Sequence, residues 1–286
     1  VKHVFKWYLV VDFTEQKSLQ KMNERIPEAL LVSLRNAAES IARLGGDSTL
    51  AYYKRSFELE HKDDNSPVTN ADKQAERIIR DEIRKRYPDH GIIGEEYGSE
   101  GSEREIVWVV DPIDGTQSFI HGIPFYTTLI GILIHGRPEV GIIYAPALGE
   151  MMTAATGQGA TLNGAAVHSR NCNDLALATF LTTDTMNIRK HGFQKSYDSL
   201  LSAVRLHRTW GDAYGHLMVA AGRADLMFDP VLSIWDAAAL MPVLTESGAH
   251  FSDVYGKRTI ETGNALSCST GLRETVLEIF NPISQA

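Results

Sequence analysis

Trp108-Val109-Val110-Asp111-Pro112-Ile113-Asp114-Gly115-Thr116 places two carboxylates three residues apart at the end of an apolar run. Ile106 to Val110 has the β-branched texture of a buried strand, and Pro112, with no N–H to give a ladder, is expected to stop it. Two hard oxygen ligands on such a turn, with the Ile113 carbonyl between them, suit Mg²⁺ ions that keep several waters. Gly115 lets backbone approach a phosphate closely, and the N–H groups of Gly115 and Thr116 at a helix start can bind its oxygens. By itself an Asp-x-x-Asp-Gly stretch is more often an Asx-type turn or a helix cap.

Other acids at element boundaries change that weighing. Glu95 follows Ile92-Ile93-Gly94, Asp72 closes Ser66-Pro67-Val68-Thr69-Asn70-Ala71-Asp72, and Asp236 stands in Trp235-Asp236-Ala237-Ala238. Each alone has an ordinary reading: a solvated loop acid for Glu95, an N-cap for Asp236, a first-turn acid facing the helix dipole for Asp72. Their common placement beside apolar elements is what points to one site.

The remaining sequence is that of a globular chain. It has 286 residues, 43% hydrophobic and 22% charged, enough for one large α/β domain or two packed subdomains. A formal net charge of −8 argues against a nucleic-acid or anionic-membrane footprint, yet a phosphate ester can bind where acids hold cations, because the local field then reverses. Cys172 and Cys268 make neither a disulfide framework nor a metal spacing, which suits a reducing, cytoplasmic setting. The apolar stretch Trp7 to Val11 is far short of the roughly 20 residues that span a bilayer. Residues 1–21 precede the first Met and read as an extension, followed by an N-terminal α/β subdomain over 22–160 carrying the metal site and a C-terminal one over 161–286 completing it.

Helical spacing predicts an amphipathic helix from Pro27 to Leu44 ended by Gly45-Gly46, and a second from Asn70 or Ala71 to Tyr87 closed by Pro88. Strands are predicted at Ile106 to Val110, Thr127 to Ile134, Glu139 to Tyr144 and Ala224 to Phe228. Further helices are predicted at His216 to Arg223 and Ala237 to Ser247, the latter interrupted by Pro242. The architecture is an α/β or α+β layered sandwich.

Trp108 to Phe119, Trp235 to Gly248 and the Gly94-Glu95-Glu96 element together resemble the paired signatures of the inositol monophosphatase superfamily, over a span from about Glu24 to the C terminus. The resemblance implies a five-layer αβαβα sandwich of the inositol monophosphatase and fructose-1,6-bisphosphatase type, usually a homodimer. It implies two or three Mg²⁺ ions held by Glu95, Asp111, the Ile113 carbonyl, Asp114 and Asp236, with Asp72 a further acid at the site and Thr116 orienting the attacking water. Lys62 stands where such proteins carry a mobile metal loop, and a solvated lysine fits it equally well. Gln117-Ser118 replaces the usual Thr-Asn and Gly248-Ala249 the usual Gly-Gly, which leaves the ligands intact and opens the question of substrate.

The implied activity is hydrolysis of a small phosphorylated metabolite by metal-activated water, with Glu95 and Thr116 placed to accept or relay its proton. No Gly-x-Ser-x-Gly elbow supports a serine hydrolase. Trp210-Gly211-Asp212-Ala213-Tyr214 carries the Gly-Asp and following aromatic that resemble histidinol-phosphate phosphatases of this superfamily, where a carboxylate can pair with the ammonium of the substrate. Asp229, where inositol-type members place Glu, changes the reach towards the leaving group. Asp212 as a plain helix cap is the competing reading. The competing functions are an inositol-1-monophosphatase or broad phosphatase, and an interaction protein that keeps the fold.

Overall fold

The computed structural model describes residues 25–61 and 67–281; the extension at 1–21 and Lys62 lie outside them. Helical periodicity from Pro27 builds α1 (Glu28–Thr49), which runs on through the Gly45-Gly46 pair expected to end it. The reason is packing: a Cβ at Gly45 would lie 2.5 Å from Ile79 and one at Gly46 2.5 Å from Tyr144, so these glycines admit neighbours. A ribbon of β1 (Leu59–His61) and β2 (Pro67–Thr69) leads into α2 (Asn70–Arg86). Next come β3 (Gly91–Gly94), β4 (Gly98–Glu100), β5 (Ile106–Asp114), the short α3 (Thr116–Ile120), β6 (Thr127–Ile134), β7 (Arg137–Ala145), β8 (Glu150–Ala155), β9 (Ala160–Leu162) and β10 (Ala165–Val167). The chain continues through β11 (Thr179–Thr182), α4 (Thr185–Lys190), α5 (Gln194–Ala203), β12 (Leu206–Arg208), α6 (Asp212–Ala220), β13 (Leu226–Asp229), α7 (Ile234–Glu246), β14 (His250–Ser252), β15 (Ala265–Cys268) and α8 (Arg273–Phe280).

Apart from the β1–β2 ribbon, two sheets divide these strands, one ordered β10-β9-β8-β7-β6-β5-β3-β4 and the other β12-β11-β13-β15-β14. Strand alternation assigns the layers. On the first sheet Ile130, Ile132 and Ile142 pack with Leu34, Ile41 and Ile79 of α1 and α2, while Leu129 and Ile143 pack with Leu217, Leu240 and Val243 of α6 and α7. On the second, Leu181 and Met227 join that α6/α7 layer, and Phe180, Leu226 and Phe228 face Leu200 of α5 and Val276 of α8. The result is the expected αβαβα sandwich. No helix among the described residues is long and apolar enough to cross a membrane.

The central helix sits unusually close to the first sheet. Gly131 and Gly141 are cross-strand partners, and a Cβ at Gly131 would lie 2.6 Å from Ala238 Cβ and 2.7 Å from its carbonyl carbon. The Ala237-Ala238-Ala239 run of α7 therefore lies backbone to backbone on the strands. Pro242 is accommodated inside α7, so it does not interrupt the helix as expected. This seating brings the start of α7 against the end of β5.

Candidate active site

Pro112 does not end β5. The ladder breaks register between Asp111 and Asp114 and resumes with Asp114 opposite Thr127. In a regular strand two residues at odd separation point to opposite faces; the irregularity inserts one residue and restores them to one side. Thr128 Oγ1 donates to the Pro112 carbonyl at 2.8 Å and Ile113 N to Asp111 Oδ1 at 3.0 Å, which holds the kink. Asp236 arrives as the third residue of α7, its Oδ2 accepting from Ser233 N at 2.6 Å, so it belongs to a capping box and is not itself the N-cap.

Carboxylate oxygens of Asp111, Asp114 and Asp236 thereby lie within 4.8 Å of one another. Asp114 is further fixed by Thr127 Oγ1 at 3.0 Å and Ala213 N at 2.8 Å. Burial and nearby like charges push all three well above the usual carboxylate range: after burial, Asp111 feels Glu95 most, Asp114 feels Asp212, and Asp236 feels Asp114. Such a cluster is costly unless it holds positive charge.

Glu95 stands beside this trio. Its N–H donates to the Val110 carbonyl at 3.2 Å, which carries the turn after β3 alongside β5. What fixes that turn is Glu76, which the sequence reading missed. Wholly buried, it accepts from Glu96 N at 2.7 Å, Tyr97 N at 3.2 Å and Arg80 Nε at 2.7 Å, and Arg80 also donates to the Gly98 carbonyl. Asp72, Glu76 and Arg80 follow one another at four-residue spacing along one face of α2.

Asp72 is held in its own capping box by Thr69 N at 2.8 Å and Thr69 Oγ1 at 2.5 Å. Burial raises its carboxyl to about 6 despite these donors, and the Glu95 charge adds to the rise. Thr116 Oγ1 bridges to the site, 3.3 Å from Asp72 Oδ1 and 3.1 Å from the Ile113 carbonyl oxygen. Gly115, at φ +79°, adopts the left-handed turn that launches α3.

Asp212 does not cap α6. The N-cap is Gly211, and Asp212, the first helical residue, has φ +53° and turns its carboxylate towards Ser118 Oγ at 3.4 Å; a Cβ at Gly115 would meet that carboxylate at 2.7 Å. Starting at Asp212 and ending at Ala220, α6 lies ahead of the expected His216 to Arg223 span. Burial raises the Asp212 carboxyl to about 7, with the Asp229 and Asp236 charges next in importance. Asp114, Asp184, Asp212, Asp229 and Asp236 line one pocket of about 210 Å³ with Thr183 and Asn187. Thr183 and His216 were not singled out from sequence; their partners come from other elements, and no local pattern marks them.

The inositol monophosphatase family model matches residues 30–285. The chain belongs to the inositol monophosphatase family. It is 38% identical over 230 residues to a histidinol-phosphatase of Chlorobaculum parvum, covering 80% of this chain and 89% of that protein. It is 36% identical over 255 residues to the Nus factor SuhB of Pasteurella multocida, covering 87% and 94%. In three dimensions it matches the extragenic suppressor protein suhB of Bartonella henselae with a TM-score of 0.82 at 28% identity, covering 87% of this chain and 98% of that one. As an inositol monophosphatase family member the chain is a phosphoric monoester hydrolase. The family is metal-dependent, and the cluster fits that dependence: its converging donors are carboxylates, with no His or Cys among them, the set preferred by a hard divalent cation over zinc or copper.

Proposed function

We propose that this chain is a Mg²⁺-dependent phosphatase that hydrolyses histidinol phosphate to histidinol and phosphate. The observation that carries the reading is the lining of the pocket beside the carboxylate cluster, which among the described residues has five aspartates and no Lys or Arg. Asp114 and Asp236 belong to the cation set, and Asp184 caps α4 through Met186 N at 2.7 Å. Asp212 and Asp229 stand outside the converging set, and although burial raises the Asp212 carboxyl to about 7, a cation brought beside it favours its negative charge. A leaving group with an ammonium group balances it through charge-assisted hydrogen bonds; inositol offers hydroxyls alone. Ser118, where the signature departs from the inositol-type pattern, touches Asp212, which ties that departure to the leaving-group side. The similarity to a histidinol-phosphatase points the same way.

Asp111, Asp114, Asp236, Glu95 and the Ile113 carbonyl would hold the ions, which when bound supply Lewis-acid polarisation of the phosphoryl oxygens and acidify the attacking water. Thr116 Oγ1, with its proton directed to Asp72 or to the Ile113 carbonyl, has lone pairs left to accept from that water and orient it in line. Asp72, linked to Thr116, is the proton acceptor next along, and Glu95 is the alternative base. The N–H groups of Gly115 and Thr116 are assigned to the phosphate. Water oxygen bonds to phosphorus, the ester P–O bond breaks, and the leaving oxygen takes a proton from solvent.

The test is Asp212→Asn. A charge-assisted contact worth about 1.5–3 kcal/mol predicts that KM for histidinol phosphate rises ~10–150-fold relative to KM for 4-nitrophenyl phosphate. An unchanged KM ratio would assign Asp212 to structure and remove the main support for this substrate.

A further inference from the structure

Thr183 Oγ1 stands 2.5 Å from Asp229 Oδ1 and 2.7 Å from Asp212 N. A carboxylate accepts and an amide donates, so the hydroxyl gives its proton to Asp229 and accepts the Asp212 N–H. One side chain thus bridges two carboxylate residues that come from the end of β13 and the start of α6. The amide it binds is one of the N-terminal donors that a helix leaves without an internal partner. Gly211 makes the approach possible, since a Cβ there would run into Thr183. Asp212 meanwhile holds a left-handed conformation that costs a non-glycine residue on the order of 1 kcal/mol, tolerated best by Asp and Asn.

The far side of Asp229 is also held. His216, wholly buried, lies four residues along α6 from Asp212, with Nε2 3.2 Å from Asp229 Oδ2 and Nδ1 2.8 Å from Ser267 Oγ. Because the carboxylate only accepts, Nε2 carries the proton and Nδ1 accepts from Ser267. Each oxygen of Asp229 therefore has one donor fixed by the fold and keeps acceptor capacity for a ligand. Thr183 thus joins Asp212 and Asp229, the two residues assigned above to the leaving group, while the cluster is met at the next amide, where Ala213 N donates to Asp114 Oδ2 at 2.8 Å.

We infer that the Thr183 hydroxyl, with His216 behind it, is a positioning contact that sets Asp212 and Asp229 at the separation a cationic leaving group requires, and that it determines specificity for amine-bearing phosphate esters. The inference rests on the substrate reading above. It assigns Thr183 no part in breaking the P–O bond, so its loss acts on discrimination between leaving groups.

The experiment compares Thr183→Val, which removes the hydroxyl at constant volume, with Thr183→Ser, which keeps it. For each, KM is measured for histidinol phosphate and for 4-nitrophenyl phosphate, and the ratio is read so that any general loss cancels. Thr183→Val is expected to raise the ratio about tenfold over wild type, as for loss of one hydrogen bond to a charged group, and Thr183→Ser to restore it to within about twofold. Should the valine variant not fold, Thr183→Ala removes the same hydroxyl without adding an apolar carbon beside Asp229, and the same outcomes apply. A valine or alanine ratio within about twofold of wild type overturns the inference, as does a serine variant as impaired as valine. Wild-type protein that turns over inositol 1-phosphate better than histidinol phosphate overturns the substrate reading and this inference together. A wild-type preference for histidinol phosphate with an unmoved valine ratio overturns the inference alone.

Discussion

Replacing Asp111 by Asn should make the metal-free protein more stable and the Mg²⁺-loaded protein less stable than wild type. Asn keeps the volume and the Oδ1 that accepts from Ile113 N, so the kink in β5 survives; only the charge goes. Oxygens of the three aspartates lie within 4.8 Å, and like charges at that spacing repel by about 3 kcal/mol at an effective dielectric constant near 20. Part of this is already relieved, because burial and the Glu95, Asp114 and Asp236 charges hold Asp111 well above the usual range and favour its protonated form. The remaining gain on neutralisation is about 1–3 kcal/mol, or roughly 2–6 °C in Tm for a chain of this size. Mg²⁺ at a hundred times its Kd stabilises wild type by about 2.7 kcal/mol per site, and the variant forgoes most of that. Melting curves of both proteins in chelator and in saturating Mg²⁺ should therefore cross, while phosphate release by the variant falls at least about a hundredfold. A variant that melts below wild type in chelator would show that the Asp111 charge is structurally stabilising, and the cluster argument would fail.

Glu76→Gln should weaken Mg²⁺ binding about 10–100-fold by calorimetric titration, because the Gln amide sets a donor against the Glu96 or Arg80 N–H and loosens the Glu95 turn; an unaltered titration would detach Glu76 from the site. In chelator, stability should fall as pH rises from about 4 to 7. Asp72 and Asp212 titrate near 6 and 7 in the fold against 3.8 for the ordinary group, so in that window the native state holds protons that the unfolded chain has released. Denaturant melts that show stability rising over this interval would contradict the assigned burial. Gly131→Ala should cost about 1–3 kcal/mol by pressing a methyl on Ala238, and should weaken Mg²⁺ binding because Asp236 rides on the same helix; full stability would mean α7 has room to shift.

The layered fold was legible because apolar periodicity is local: Thr127–Ile134 is a strand over the very residues its β-branched run marks. The acids were legible for a related reason, each standing at the boundary of an apolar element, Glu95 after β3, Asp111 after the apolar run of β5, and Asp72 and Asp236 in the first turns of helices. Three features were not. Pro112 signals a broken ladder, but that pairing resumes at Asp114 depends on Thr127 across the sheet. Gly45-Gly46 carries the composition of a helix stop, and only the approach of Ile79 and Tyr144 shows it to be a packing face. Thr183 and His216 acquire their roles from Asp229 and Ser267, on strands distant in sequence, so no local pattern could reveal them. Glu76 and Arg80 were within reach, since their four-residue spacing from Asp72 puts three charges on a face that also carries apolar Ala75 and Ile79.

The central claim is that this carboxylate-lined pocket selects a cationic leaving group during metal-dependent phosphate ester hydrolysis. It is tested most directly by kcat/KM of the wild-type protein for histidinol phosphate and inositol 1-phosphate, measured side by side in Mg²⁺ and again in chelator. The account predicts at least about a tenfold preference for histidinol phosphate, the worth of one charge-assisted contact, and loss of both activities in chelator. Equal or greater turnover of inositol 1-phosphate, or activity that survives the chelator, would contradict it.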